Sequence, residues 1–233
     1  MYKIKTPEGV IVPRSENQKE YLKQVAENSL TFGVGPAGTG KTFLAVAVGV
    51  EMLMRQFNDH TKKTAPIKRM IITRPAVEAG ESLGFLPGDM TEKVDPYMRP
   101  IFDALAETLG PEKSEQFFDK LTIEVAPIAF MRGRTLKDAI IILDEAQNTT
   151  RAQMKMFLTR IGNNTKTIVN GDMSQIDLKG GKERSGLVQA VRILPSLSDV
   201  GIVRFTEEDV VRHPLVKAII RAYEEDETGG IDE

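Results

Sequence analysis

GPAGTGKT, residues 35–42, decides how the rest of the chain is read. Glycines at 35, 38 and 40 and a single lysine stand between LTFGV (30–34) and the apolar run FLAVAVGVEMLM (43–54). The stretch fits G-x-x-x-x-G-K-[ST] without a mismatch. The chemistry behind that spacing is specific. Glycines let the backbone turn its N–H groups inward around phosphate oxygens. A helix that starts directly afterwards presents its positive N-terminal end to the same anion. On this reading Gly35, Pro36, Ala37, Gly38, Thr39 and Gly40 cradle the phosphates. Lys41 supplies a point charge to the β/γ oxygens, and Thr42 offers a hydroxyl to Mg²⁺. ATP and Mg²⁺ are the expected cofactors.

A cradle needs partners for the metal and the water. IIILDEAQ (140–147) gives four apolar residues and then Asp144 and Glu145 at the carboxyl end of an expected strand. Asp144 is expected in the Mg²⁺ shell, and Glu145 is placed to polarise a water for attack on the γ-phosphate. The bland reading of the same pair is a helix cap. NGDMSQ (170–175) ends the next expected strand with Asn170, Asp172 and Gln175. Gln175 is the chosen sensor of the γ-phosphate and attacking water, with Gln147 as its competitor; a plain polar turn is the alternative. Upstream, ENQKEYLKQVAEN (16–28) places Tyr21, Leu22 and Val25 on one helix face. Gln18 at its start has a two-sided amide able to read an adenine edge, although spacing alone favours an ordinary surface glutamine.

Around these motifs run short β-branched segments. LTFGVG, IKRMIIT (67–73), LTIEV (121–125), AIIILDE (139–145), TKTIVNGD (165–172) and VGIVRF (200–205) alternate with helix-like stretches. Near-continuous apolar strands separated by helices predict a mostly parallel sheet covered on both faces. The expected fold is an α/β, single RecA-like P-loop NTPase domain over residues 1–223, with an insertion about 74–120. The insertion is rich in Gly and Pro before a helical IFDALAETL.

Composition narrows the functional classes. There are 233 residues, no cysteine and two histidines, His60 and His213, so thiolate and histidine-rich metal sites are excluded. The N-terminus has no apolar signal core and no apolar run spans a bilayer, so a cytoplasmic protein with no membrane partner is expected. Net charge is −2, but the last ten residues carry six acids and no base, which leaves +4 on the remainder. That tail, 224–233, reads as a solvated and disordered end.

Taken together, GPAGTGKTFLAVAVGVEML, TRPAVEAGESLGFLPGDMTEKVDPYMRPIFDAL, IAFMRGRTLKDAIIILDEAQNTT, GDMSQIDL and RFTEEDVVRHPLV resemble the PhoH-like, phosphate-starvation-inducible ATPases. The blocks run from about residue 15 to 223. The family is similar to the ATPase core of superfamily 1 helicases, which implies ATP hydrolysis coupled to RNA or single-stranded nucleic acid. Some relatives carry a PIN-type nuclease or a KH-like segment; neither is seen here, so nuclease activity is not expected. The resemblance strengthens Gln18 as adenine reader. It sets Thr73 and Arg74, after the second strand, where a helicase core touches nucleic-acid backbone. It also marks Arg132 and Arg134 in MRGRT as basic candidates for the same role. Solvated or internally paired arginines are the plainer reading of that loop.

A helicase with two such cores binds ATP between them. Here an arginine for the γ-phosphate would come from another subunit, with Arg204 and Arg212 as candidates. A head-to-tail contact of that kind generates a ring if it closes, and a homo-oligomer, a hexamer, is expected. The opposing reading is an arginine paired inside the acidic EED cluster. Two functions remain open: an ATPase that grips or remodels RNA, and an ATP-driven switch acting on a protein partner. Aromatic content of 6% with no Trp makes base-stacking platforms thin.

Overall fold

AIIIL, residues 139–143, is buried at every position, which a strand achieves only when both faces of its sheet are covered. In a computed structural model, which describes residues 2–58, 67–75, 90–211, 215, 216 and 219, this segment sits inside a parallel sheet. The strands of that sheet are β3 (Leu30–Val34), β4 (Arg69–Arg74), β5 (Ile123–Pro127), β6 (Ala139–Leu143), β7 (Lys166–Gly171) and β8 (Val200–Arg204). Preceding them is a small antiparallel hairpin, β1 (Ile4–Thr6) and β2 (Gly9–Ile11). Among the described residues the large sheet has the order β5-β4-β6-β7-β3-β8, with every pairing parallel. All six expected strands are present, and the fold class is the expected α/β one.

Period-two alternation sorts the strand residues onto two cores. Met70, Ile72, Ile140, Ile142 and Ile168 face α1 (Glu16–Glu27), α2 (Lys41–Asn58), α3 (Met90–Leu109) and α4 (Pro111–Asp119). Phe32, Ile71, Ile141, Leu143 and Val169 face α5 (Arg151–Leu158) and α6 (Gly186–Ile193). Ser15 caps α1 by accepting from the Gln18 N–H at 3.2 Å, and Thr150 with Gln153 forms a capping box on α5. In α2, Ala45, Val46, Ala47, Val50 and Leu53 are fully enclosed, because that helix lies between the sheet and α3. The described part of the expected insertion, 90–120, is α3 and α4, and it forms the crossover between β4 and β5. Residues 76–89, His60, Arg212, His213 and the tail 224–233 lie outside the described residues.

The hairpin was not expected from the sequence, and β5 begins two residues later than expected. Leu121 takes a left-handed φ of 53° after α4, with the Thr122 N–H bonded to the Phe117 carbonyl at 2.8 Å. That helix-ending turn consumes the first residues of LTIEV.

Candidate functional site

The strand order places β7 between β3 and β6, so the glycine loop, the Asp144–Glu145 pair and Asp172 emerge side by side at one sheet edge. The loop is fastened on both flanks. The Gly35 N–H donates to the Gly171 carbonyl at 3.1 Å, and the Val211 N–H donates to the Gly38 carbonyl at 3.1 Å. Gly35 has φ +152°, and a Cβ there would meet the Phe205 carbonyl oxygen at 2.5 Å. Only glycine lets this turn pass against the exit of β8. Gly38 and Gly40 also have positive φ, 81° and 80°.

Lys41 opens α2 and folds back over the loop. Its Nζ donates to the carbonyls of Gly35 at 2.7 Å and Pro36 at 2.6 Å, and to Thr39 Oγ1 at 3.1 Å. It also lies 5.9 Å from the Phe205 ring centroid. Burial holds the ammonium below the usual lysine range, while Asp172, Asp144 and Glu145 pull the other way. Beneath the loop, the buried Tyr21 hydroxyl donates to Asn170 Oδ1 at 2.7 Å, and Asn170 Nδ2 donates to the Lys41 carbonyl at 3.2 Å. Burial raises the Tyr21 hydroxyl well above its ordinary pKa, so it remains a donor. Asn170 therefore holds the start of α2 and is wholly enclosed.

Thr42 Oγ1 donates to Asp144 Oδ1 at 2.8 Å. The other oxygen, Oδ2, accepts from Arg74 Nε at 2.9 Å and Nη2 at 2.5 Å. Arg74 Nη2 also lies 3.8 Å from Glu145 Oε1. Glu145 has a left-handed backbone, φ 53° and ψ 37°, an uncommon conformation for a residue with a side chain. Its Oε2 accepts from Gln147 Nε2 at 2.6 Å, and Gln147 Oε1 accepts from the Asp172 N–H at 3.0 Å. Gln147 is buried and thus bridges the tips of β6 and β7. Asp172 Oδ2 accepts from the Ala37 N–H at 3.1 Å, which joins the third carboxylate to the loop.

These groups wall a cavity of about 280 Å³ lined by Lys41, Thr42, Asp144, Glu145, Asp172 and Gln175 among others. Gln175 is exposed on its rim, unlike the enclosed Gln147. A second cavity, about 750 Å³, opens across Gly38, Gly40 and Phe43 and is lined by Ile11, Val12, Pro13, Arg14 and Gln18. Gln18 is 4% exposed rather than the surface residue its spacing favours. Its Oε1 accepts from the Arg14 N–H at 2.7 Å and its Nε2 donates to the Thr39 carbonyl at 3.0 Å. The amide ties the chain before α1 to the glycine loop at the wall of that cavity.

The four expected nucleic-acid contacts fall into different settings. Thr73 is wholly enclosed, and its hydroxyl has no hydrogen-bond partner among the described residues. Arg74 is turned inward onto Asp144. Neither side chain has the solvent-facing setting that a backbone contact needs. Arg134 pairs in two-pronged fashion with Glu124 at 2.5 and 2.7 Å, so it takes the internally paired reading. Arg132 is exposed. Arg204 is exposed at the end of β8, level with Val34, and makes no ion pair among the described residues. Asp209 of the EED cluster instead accepts from Asn17 Nδ2 at 2.8 Å and the Thr206 N–H at 2.7 Å.

Thr73 and Arg74, expected as outward contacts, are enclosed, and Gln18 is deeper than its spacing favours. Thr73 and Leu143 are register partners, so Arg74 and Asp144 leave the sheet together. That neighbourhood is visible only once the strand order is known. Among the described residues there is no cluster of three or more His, Cys, Asp or Glu for a metal, and no helix long and apolar enough to cross a membrane.

The glycine loop opening a helix beside three carboxylates has the geometry of a phosphate-binding loop. The chain is 54% identical over 211 residues to a PhoH-like protein of Bacillus subtilis, covering 91% of this chain and 63% of that protein. It is 45% identical over 215 residues to Protein PhoH of Escherichia coli K12, covering 91% and 58%. It thus spans less than two thirds of these relatives. Pif1 helicase from Candida albicans superposes with a TM-score of 0.41 at 13% identity, covering 92% of this chain and 44% of that one. Bacteroides Pif1 bound to ssDNA gives 0.39 at 14%, covering 91% and 46%. The model of the PhoH-like protein family matches residues 10–224, and the chain belongs to that family.

Proposed function

We propose that this chain is a Mg²⁺-dependent ATPase whose hydrolysis is coupled to RNA or single-stranded nucleic acid. The observation that carries the hydrolytic part is the meeting of Lys41, Thr42, Asp144, Glu145 and Asp172 around one cavity of about 280 Å³ at a helix N-terminus. Gly35 to Gly40 and Lys41 bind the β- and γ-phosphates, and the start of α2 adds its dipole. The Thr42 hydroxyl and the Asp144 carboxylate, 2.8 Å apart, form an all-oxygen pair suited to a small hard cation. These two residues would hold Mg²⁺, which when bound neutralises charge developing on the phosphate oxygens.

Glu145, half-exposed and held by Gln147, is the group that accepts a proton from the attacking water. Gln175 on the rim is within the same cavity and serves as the γ-phosphate sensor. The base occupies the larger cleft beside Gln18. Release of either Gln18 bond frees the amide to pair with an adenine edge.

For the nucleic acid, support narrows to exposed Arg132, with the mild positive balance of the body behind it. Arg204 at the outer edge of β8 is the arginine offered to a neighbouring subunit, which favours a head-to-tail ring, a hexamer. The test is ATP hydrolysis by wild type, Lys41→Ala and Glu145→Gln, with and without single-stranded RNA, at two salt concentrations. Hydrolysis lost in both variants, with nucleotide still bound by Glu145→Gln and RNA stimulation that fades with salt, is the expected result. Normal turnover in Glu145→Gln removes that residue from the base role. Hydrolysis indifferent to RNA and DNA moves the reading to an ATP-driven switch on a protein partner.

A further inference from the structure

Both oxygens of the Asp144 carboxylate are engaged, and by groups of different kinds. Oδ1 is held by a hydroxyl, Thr42, which can rotate and share its oxygen with a cation. Oδ2 is held by a fixed cation, through two nitrogens of Arg74 at 2.9 and 2.5 Å. The pair is shut away from water, with side-chain exposures of 11% and 3%. A guanidinium at that depth is tolerated only against a counter-charge. Glu145 Oε1 lies 3.8 Å from Nη2. Arg74 thus places a unit positive charge on one oxygen of the carboxylate whose other oxygen, beside Thr42, would take a divalent cation.

We propose that Arg74 is a positioning residue that competes with the divalent cation for Asp144 and transfers to Glu145 when the cation binds. The inference rests on the nucleotide-hydrolase reading above. Arg74 holds Asp144 oriented and balances its charge. It thereby raises the metal concentration that the site requires. Movement of the guanidinium over 3.8 Å or less would couple metal arrival to the carboxyl end of β4 and to the group proposed as general base. A merely structural Arg74 makes the opposite prediction, because loss of a strut would loosen Asp144 and weaken metal binding.

The measurement is a Mn²⁺ titration followed by the EPR signal of the free ion, in the presence of a non-hydrolysable ATP analogue. Wild type, Arg74→Gln, Arg74→Lys and Asp144→Asn are compared. Removal of a full charge from about 3 Å beside the ligand oxygen should tighten Mn²⁺ binding about tenfold in Arg74→Gln. Arg74→Lys keeps the charge but loses the rigid fork, and should tighten binding about twofold. Asp144→Asn should weaken it. Mn²⁺ affinity in Arg74→Gln equal to or lower than wild type overturns the inference. Should Arg74→Gln fail to fold by circular dichroism, Arg74→Lys decides, and unchanged or weaker binding there overturns it. Analogue binding at saturating Mn²⁺ is measured in parallel with a fluorescent nucleotide. A wild type that does not bind the analogue refutes the nucleotide reading itself; normal analogue binding with no tightening of Mn²⁺ refutes only the role of Arg74.

Discussion

Gln147→Ala separates what holds the fold from what holds the proposed base. The side chain makes two bonds, from Nε2 to Glu145 at 2.6 Å and to Oε1 from the Asp172 N–H at 3.0 Å. Gln147 is 1% exposed, so truncation leaves the enclosed Asp172 N–H without its acceptor, at about 1–3 kcal/mol. The one lost methylene adds about 0.8 kcal/mol. The Glu145 side contributes little to stability, since that carboxylate is 47% exposed and water replaces the amide. The expected loss is about 3 kcal/mol in urea unfolding. For activity the weighting reverses. An unheld Glu145 carboxylate loses its aim, and kcat for ATP should fall about 10- to 100-fold while KM stays near wild type. Gln147→Glu is the companion variant. It keeps an acceptor for Asp172 but buries a carboxylate against Glu145, so it should lose at least as much stability and as much kcat. A kcat within twofold of wild type in Gln147→Ala, alongside the stability loss, would show that Gln147 only fastens β6 to β7.

Further expectations follow from other contacts. Gly35→Ala puts a Cβ 2.5 Å from the Phe205 carbonyl and should cost about 3 kcal/mol or more and abolish nucleotide binding; Gly181→Ala, at φ +61° with nothing within 4 Å, should cost only about 1 kcal/mol and leave binding intact. Equal effects in the two variants would contradict the packing argument. The Arg134 hydrogen bond holds the Glu124 carboxyl below its ordinary value of 4.5. The stability from this pair is therefore present above that value and lost as pH falls through the lower folded value. Urea melts should show wild type more stable than Arg134→Met at pH 7 and the gap closing in acid; a gap that widens in acid is incompatible with the pair. Arg132→Ala should reduce RNA stimulation of the ATPase and its salt slope without altering basal turnover, and unchanged stimulation would exclude that loop as a contact.

Much of the fold could be read because each buried strand announces itself locally. AIIIL and RMIIT carry their own β-branched runs, and the glycine loop fixes where one strand ends and α2 begins. The hairpin could not be read that way. IKT and GVI are three residues each, too short for a periodic signal, and β1 packs through Ile4 into the core beside α2. Site residues divide along the same line. Lys41, Thr42, Asp144 and Glu145 are legible because their spacing is itself the chemistry. Gln18, Gln147 and Arg74 are polar residues whose setting depends on partners 21, 25 and 70 positions away in sequence. No local pattern distinguishes a buried bridging amide from an exposed one, and TRP after a strand reads equally as an outward contact or an inward ion pair.

The strand order also bears on the proposed requirement for a divalent cation. Because β7 separates β3 from β6, the edge gathers Asp172 as well as Asp144 and Glu145 around the phosphate loop. Against these three carboxylates stand Lys41 and Arg74, and both are already committed. Lys41 is bonded to loop carbonyls and held below its usual pKa by burial, and Arg74 is spent on Asp144. A bare triphosphate approaching this edge meets a loop of inward N–H groups but also net negative charge at the tips of β6 and β7. Backbone dipoles alone offset that repulsion poorly once water is excluded. A divalent cation held by Thr42 and Asp144 would reverse the balance, and on the inference above Arg74 would then turn toward Glu145. On this view the motif supplies the cradle, while the flanking strands set the condition under which the cradle is filled.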